Sequence, residues 1–373
     1  MDLKLSDEDK LVQRTAARFV ERELLQLEGS FLKQTKPFLP PGDPSRRGLD
    51  AHHRETLREK LKKIGFWALE LPEEAGGGGL SHTARVLIYR EFGRTVLPFE
   101  PPSIPFVVKK SKFIERVVAG ELSVALAFDE THKTGDLSEV GARYRKQPGG
   151  YCLNSSPVDV LNPSADIFIL PAREEGLDKI GLFLLEKAMP GLVIDGEEDL
   201  TADQTVARLS LTECALDDDR IVGYEEDLCR LIATEQLHLA ARSLGMGRRC
   251  LEDSLEHARN RVTFGRPLSA RQAIQWMLVD LSLKLRTSTW LTLQAAWQAD
   301  QGLSYFHSAA LAKKCATRMA FDAADTAIQI HGGYGVCKEF PFESFYRDAR
   351  LMRLLNGRED GINKKIAAQF VGQ

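Results

Sequence analysis

The sequence predicts an α+β fold in three successive parts, on three observations. Apolar residues recur at helical spacing over residues 1–120, short apolar or alternating runs replace them over 121–225, and long helical stripes return over 226–373. At 373 residues the chain is long enough for two or three domains and a large buried core. Its 43% hydrophobic and 28% charged residues are those of an ordinary globular protein, and a formal net charge of −3 leaves no electrostatic footprint for nucleic acid.

The first part opens with Ser6 and Asp9, a capping-box pair, followed by Val12, Ala16, Phe19, Val20 and Leu24 on one helical face. The Pro/Gly stretch from Lys36 to Pro44 predicts a long loop, and helices are expected over Arg54–Gly65 and His82–Val96. Between them, Ala75–Gly79 reads as a turn. It follows no strand and lacks a terminal Lys-Ser/Thr, so it is not a phosphate-binding P-loop.

In the second part the runs from Ile167, Ile180 and Ala207 are short and apolar or alternating, and are bounded by Gly, Asp and Pro; they predict strands of a small β-domain. The third part predicts helices over Glu225–Arg259, Ala270–Asp300 and Tyr305–His331. Each exceeds the usual globular helix of about 10–14 residues, which suggests a bundle with antiparallel neighbours. In the second of them Ile274, Met277, Leu278, Leu281 and Leu285 form one apolar stripe.

The acidic start, M-D-L-K-L-S-D-E-D-K, has none of the regions of a signal peptide, and no apolar run approaches membrane-spanning length. A cytoplasmic protein without a membrane partner is expected. Six cysteines, scattered without a C-x-x-C pair, read as reduced packing thiols, and no metal site is expected.

Two motifs in the last part carry chemistry. One is R-x-x-F-G-R-P-L from Arg261 to Leu268, followed by Gln272; the other is Q-I-H-G-G-Y-G from Gln329 to Gly335. Taken alone, Arg261 and Arg266 could be dipole partners at a helix C-terminus, and Gly332 and Gly333 could be a C-cap and turn. Equally, an arginine fork meets phosphate oxygens through two bonds, and glycines let backbone N–H groups approach an anion with no Cβ in the way. His331 reads as a structural hydrogen-bonder.

With both motifs present, the chain resembles the FAD-dependent acyl-CoA dehydrogenases over essentially its whole length. The resemblance implies an N-terminal helical domain (1–120), a middle β-barrel domain (121–225) and a C-terminal four-helix bundle (226–373). It also implies an FAD site shared across a subunit interface. There Arg261 would supply charge to the pyrophosphate, Phe264 would cover an aromatic ring, and Gln272, Gln329, Gly332 and Gly333 would contact the cofactor. A homotetramer or heterotetramer, acting on an acyl-CoA and reoxidised by an electron-transfer flavoprotein, is the implied assembly.

Many members of the family carry their catalytic glutamate in I-Y-E-G-T; this chain reads L-L-N-G-R, with Asn356 at that position. An amide cannot accept a proton near neutral pH. A second branch, with isovaleryl-type and long-chain enzymes, places the glutamate on the first long C-terminal helix, where the shared landmarks locate Glu235. The helix itself singles out Glu235, inside the apolar stripe of Leu228, Leu231, Ile232 and Leu239. Burial there is expected to raise its pKa toward the operating pH, and pairing with Arg242 or another cation of the bundle is the structural alternative. Gln236 stands where relatives often have Arg. The implied reaction is α,β-dehydrogenation: Glu235 takes the α-proton, a hydride leaves the β-carbon for flavin N5, and a backbone N–H near Asn356, with a flavin ribityl hydroxyl, polarises the thioester carbonyl.

The second part departs from the family. Where relatives have T-E-P-x-A-G-S-D this chain has Asp129–Asp136, and where they have W-I-T it has Asp159–Leu161. An aspartate in place of a flavin-facing tryptophan would remove a stacking surface and add negative charge. Two readings therefore stand: an active dehydrogenase, or a flavin-deficient partner subunit of a heteromeric one. A flavin oxidase or monooxygenase on the same fold is a third.

Overall fold

Helix N-caps divide the first part of the chain. The computed structural model describes residues 5–34, 49–128, 137, 140–201 and 204–371. Ser6 and Asp9 form the reciprocal capping box, and helix α1 (Asp7–Phe19) passes through a π-helical turn at Val20–Leu24 into α2 (Leu25–Gln34). Ala16, Phe19, Val20 and Leu24 are buried, the face the spacing predicts. Asp50 caps α3 (Ala51–Lys63), and Ser81 caps α4 (His82–Phe92). The predicted loop at Lys36–Pro44 lies outside the described residues. Ala75–Gly79 is a turn, with Gly76 left-handed at φ +78° and Gly77 pressed so closely on the Leu71 carbonyl that a Cβ would lie 2.2 Å from it.

After α5 (Ile114–Ala119) the described residues form eight strands: β1 (Val124–Leu126), β2 (Arg143–Gln147), β3 (Gly150–Val160), β4 (Ile167–Glu174), β5 (Ile180–Glu186), β6 (Leu192–Asp199), β7 (Thr205–Asp217) and β8 (Ile221–Tyr224). They form one sheet in the order β6-β7-β3-β2-β4-β5-β8, with β1 parallel to β4. The unbroken apolar runs of β4 and β5 have a physical reason: both faces are covered. Ile167, Ile169, Leu182 and Leu184 pack against Val107, Val108, Phe113 and the start of the next helix, while Phe168, Leu170, Phe183 and Leu185 enter a second core with Leu153, Leu209 and Tyr144.

The third part is helical: α6 (Glu225–Asn260), a short hairpin of β9 (Val262–Thr263) and β10 (Arg266–Pro267), α7 (Gln272–Asp300), α8 (Phe306–His331), α9 (Phe342–Met352) and α10 (Glu359–Val371). Thr234 meets Tyr305 at one end and His257 meets His331 at the other, so α6 and α8 run parallel with α7 returning between them. Seven alanines of α8, from Ala309 to Ala327, are fully buried and let the helices approach closely. The N-terminal helices share this core: Phe19, Val86, Tyr89 and Phe92 pack with Ala233, Leu237, Ala240 and Leu244. No helix among the described residues is long and apolar enough to cross a membrane.

Helices α4 and α6 touch backbone to backbone. A Cβ at Gly245 would lie 2.1 Å from the Arg90 carbonyl oxygen, and one at Gly93 would lie 2.2 Å from that of Arg242. Gly245→Ala is therefore expected to destabilise the protein by about 1–3 kcal/mol or more, because a backbone atom cannot swing aside. Gly29→Ala, in a helix with nothing within 4 Å of the new methyl, is expected to stabilise by about 0.5–1 kcal/mol. Urea denaturation of the two variants checks the contrast; equal and small effects would mean that the two helices can separate freely.

Candidate active site

Helix α6 presents Glu235 at the edge of its apolar stripe. Leu228, Leu231, Ile232 and Leu239 are buried, while Glu235 is half-buried and opens onto a small cavity of ≈ 190 Å³ lined by residues that include Glu70, Arg85, Ser103, Phe106, Thr234 and Tyr305. Ser103 Oγ donates to Glu235 Oε1 at 2.5 Å, and His238 Nδ1, one turn along the helix, faces the same oxygen at 3.6 Å. Arg242 is not its partner: its Nε pairs with Glu100 at 3.0 Å.

The expected direction of the Glu235 pKa needs correction. Burial does push the carboxyl up, but the nearby His238 imidazole, then Ser103 and Arg85, outweigh it and hold Glu235 below the usual glutamate range. Sequence periodicity shows the apolar stripe but not Ser103 and Arg85, which arrive from other elements; His238, at i+3 on the same helix, was within reach of the spacing and was not singled out.

A second and larger hollow, a cleft of ≈ 350 Å³, lies at the other end of the segment 96–106. Val96–Glu100, Arg242, the α9 residues Arg347 and Leu351, and Leu355 line it from the helical parts; Leu161, Asn162, Gln204 and Thr205 line it from the sheet. Asp159 is not among them. It is buried in β3, in register with Arg208 of β7, while its neighbours Val158 and Val160 enter the apolar core on the other face of the strand. Asp129–Asp136 lies outside the described residues.

Asn356 adjoins the cleft beside Leu355, in a turn with φ +51°. Two side chains fasten that turn. Gln236 Nε2 donates to the Asn356 carbonyl at 2.7 Å, and Lys313 Nζ, on a side chain buried among the alanines of α8, donates to the carbonyls of Gly357 at 2.6 Å and Arg353 at 3.1 Å. Glu235 and Asn356 are thus linked through Gln236, the residue next to Glu235. Lys313, Ser103, His238 and Glu70 escaped the sequence reading. A lysine inside the alanine stripe of α8 was an available signal, because a buried ammonium demands partners.

The arginine and glycine motifs lie at the far ends of α6 and α8. Arg261 caps α6 and is exposed, and Leu268 N–H donates to its carbonyl, closing the β9–β10 hairpin. At the hairpin tip Phe264 has φ +48° and is 97% exposed, with the Arg271 guanidinium 6.0 Å from its ring centroid. Among the described residues the ring has little other cover. Gln272 begins α7 and is exposed. Gln329, Gly332 and Gly333 are exposed at the end of α8; Gly332 has φ +61° and ψ −135°, and a Cβ on either glycine would meet nothing within 4 Å. By contrast a Cβ at Gly335 would strike the Ile328 carbonyl at 2.4 Å. His331 is buried, with Nδ1 2.8 Å from the Ala327 carbonyl and its ring 4.2 Å from that of His257, and this ring pair brings the two motifs to one end of the bundle. An open glycine cradle, an arginine and an uncovered aromatic ring fit a ligand with a phosphate and a flat ring.

Two family models match the chain: "Acyl-CoA dehydrogenase, N-terminal domain" over residues 6–106 and "Acyl-CoA dehydrogenase, C-terminal domain" over residues 228–371. Among curated relatives, the (R)-benzylsuccinyl-CoA dehydrogenase of Thauera aromatica is 27% identical over 404 residues, spanning 100% of this chain and 97% of that protein. Among solved structures, butyryl-CoA dehydrogenase from Megasphaera elsdenii superposes with a TM-score of 0.84 at 23% identity, each chain covered fully. The ChsE4-ChsE5 complex from Mycobacterium tuberculosis does so with a TM-score of 0.81 at 21% identity, again over both full chains. At these identities the two structures speak for the fold.

His82, on the rim of the Glu235 cavity, gives a pH test of this architecture. Burial, then the charges of Arg85 and His238, lower its pKa from 6.5 to about 3. The folded state therefore holds it neutral where the unfolded chain would protonate it. Its contribution to stability is fully present above pH 6.5 and is lost as pH falls toward 3. Unfolding free energies measured from pH 7 to pH 4 are expected to fall less steeply for His82→Gln than for the wild type; identical slopes would show that the ring is solvated.

Proposed function

The chain belongs to the acyl-CoA dehydrogenase family, and from that premise we propose that it catalyses FAD-dependent α,β-dehydrogenation of an acyl-CoA thioester with Glu235 as the base. The observation that carries this reading is a half-buried carboxylate at the wall of a cavity, held by the Ser103 hydroxyl and one residue from a side chain that fastens the Asn356 turn. An ionised carboxylate can accept the α-proton; Asn356 cannot. The backbone N–H of the Asn356 turn is the donor assigned to the thioester carbonyl, and its orientation is set by Gln236 and Lys313 holding the neighbouring carbonyls. Fixed dipoles of this kind favour charge on the carbonyl oxygen as the α-carbon loses its proton.

Arg261, Gln272, Phe264, Gln329, Gly332 and Gly333 are the residues assigned to FAD, with Arg261 and the glycine cradle toward the pyrophosphate. When bound, FAD supplies the acceptor for the hydride that leaves the β-carbon. The division of the chain at residues 120 and 225 goes with this assignment: the sheet and the two helical parts each contribute walls to the cleft. An oligomer is supported by an apolar stripe on the outer face of α7, where Trp276, Val279, Leu283 and Trp290 are each more than half exposed. Reoxidation by an electron-transfer flavoprotein and a cytoplasmic setting complete the reading.

A second reading has its own support. Asp159 stands where the family resemblance implies a flavin-facing tryptophan, and one structural neighbour is a complex of two named components, ChsE4 and ChsE5. In this reading the chain lends Arg261, Gln272 and the cradle to a flavin held chiefly by a different subunit. Flavin content of the chain purified alone separates the two: about one FAD per chain supports the first, and a folded oligomer without FAD supports the second.

Glu235→Gln is expected to keep its flavin and to lose anaerobic bleaching by substrate by about a hundredfold or more. Unchanged bleaching would sink Glu235 as the base. Arg261→Ala is expected to weaken FAD about tenfold or more, as loss of a charge-assisted contact does, and a normal flavin spectrum after gel filtration would make the motif structural.

A further inference from the structure

Behind Glu235 lies a chain of buried polar groups contributed by four elements. His238 is 6% exposed, and its ring stacks on Tyr89 of α4 at 4.2 Å between centroids. Its Nδ1 faces Glu235 Oε1 at 3.6 Å and its Nε2 faces Glu70 Oε1 at 3.5 Å. Glu70, in the segment after α3, is fixed in turn by the Tyr89 hydroxyl at 3.3 Å and the Ile104 N–H at 3.4 Å, with Arg85 of α4 3.9 Å away. Ser103 donates to Glu235 from the segment after α4. Among the described residues Nδ1 of His238 has no hydrogen-bond partner, although the ring is buried between two carboxyl groups.

An imidazole with one proton can donate to only one of two flanking carboxylates and turns a lone pair on the other; with two protons it can donate to both. We propose that His238 is a positioning residue for the base: it bridges Glu70 and Glu235, fixes the Glu235 carboxyl against the cavity wall, and keeps that carboxyl ionised. Glu70 serves the bridge from behind by orienting Nε2, and Tyr89 holds the plane of the ring. The proposal rests on the reading of Glu235 as the base, but it concerns the charge state of Glu235 and is tested on that.

Besides His238 and Ser103, the titratable and charged groups around Glu235 include Glu70 and Tyr305, Arg85, Tyr89 and His82 from α4, and Arg230 from α6, which pairs with Glu226. Arg85 acts on both carboxyls as well, and the His238 ring is the group that lies between them.

The test is the titration of Glu235 followed by infrared difference spectroscopy of the carboxylate stretch in the full-length protein, with Glu235→Gln identifying the band. In His238→Gln the midpoint is expected to rise by about one pH unit or more, since burial is then opposed by Ser103 and Arg85 alone. A midpoint that stays in place or falls in the folded variant overturns the proposal. Should the glutamine variant fail to fold, His238→Asn, smaller and clear of Tyr89, carries the same expectation. The two readings fail separately: bleaching that survives Glu235→Gln removes the base assignment and leaves the midpoint shift to stand or fall by itself.

Discussion

The backbone contact of α4 and α6 at Gly93 and Gly245 sets the position of everything at the site. It aligns the two helices so that successive turns of α4 meet successive turns of α6. Gly93 lies on the Arg242 carbonyl, Tyr89 stacks on His238, and Arg85 reaches the cavity of Glu235. A side chain larger than hydrogen at the crossing would move the helices apart and break this alignment. On the opposite side of α6, Gly247 takes the Met319 sulfur of α8, where a Cβ would lie 2.4 Å away. The Leu244–Gly247 segment is therefore a double contact: one glycine admits α4 and the next admits α8. Through α8 the same helix is coupled to Lys313, and so to the turn that carries Asn356.

That alignment turns a burial problem into a usable charge. A lone carboxyl moved from water into an apolar helix face becomes a weaker acid and holds its proton, which suits a general acid and disables a base. At Glu235 the hydroxyl of Ser103 and the positive groups nearby reverse the sign, so the carboxyl stays below its ordinary range despite burial. None of these partners comes from the apolar stripe itself. The stripe supplies the low-dielectric setting in which each partner acts strongly, and His238 of the same helix, with Ser103 and Arg85 from the α4 side, supplies the field.

How much of this the sequence discloses follows the range of the interactions. The Ser6–Asp9 cap, the α1 stripe, the doubly buried runs of β4 and β5 and the long C-terminal helices are local patterns of period 3.6 or 2, and all were legible. Glu235 could be singled out because a carboxylate in an apolar stripe is itself a local anomaly. Its distant partners could not: Ser103 is 132 residues away, and nothing around Glu70 marks it as the far end of a bridge, whereas His238, at i+3, was within reach of helical spacing. Gln236 read only as a missing arginine, yet its amide fastens the Asn356 turn across 120 residues of chain.

The geometry of α6 bears on whether one chain can complete a site. Glu235 and Arg261 stand 26 residues apart on the same helix and at its end. At 1.5 Å per residue they are separated by about 39 Å. One extended dinucleotide cannot lay its pyrophosphate on Arg261 and its flat ring beside Glu235 of the same chain. If both residues serve a flavin, they serve different flavins, and each site must draw its arginine from a neighbouring subunit. The exposed surfaces agree with that requirement. Phe264 stands 97% exposed at the hairpin tip beside Arg261, the glycine cradle at Gly332 and Gly333 is open, and an apolar stripe runs along the outer face of α7, which starts from the same hairpin. Uncovered aromatic and aliphatic surface of this extent is what association removes from water. The requirement holds whether the neighbour is a second copy or a different chain, and it ties cofactor binding to assembly: separating the subunits takes the arginine and the glycine cradle away from the flavin that the cleft would hold.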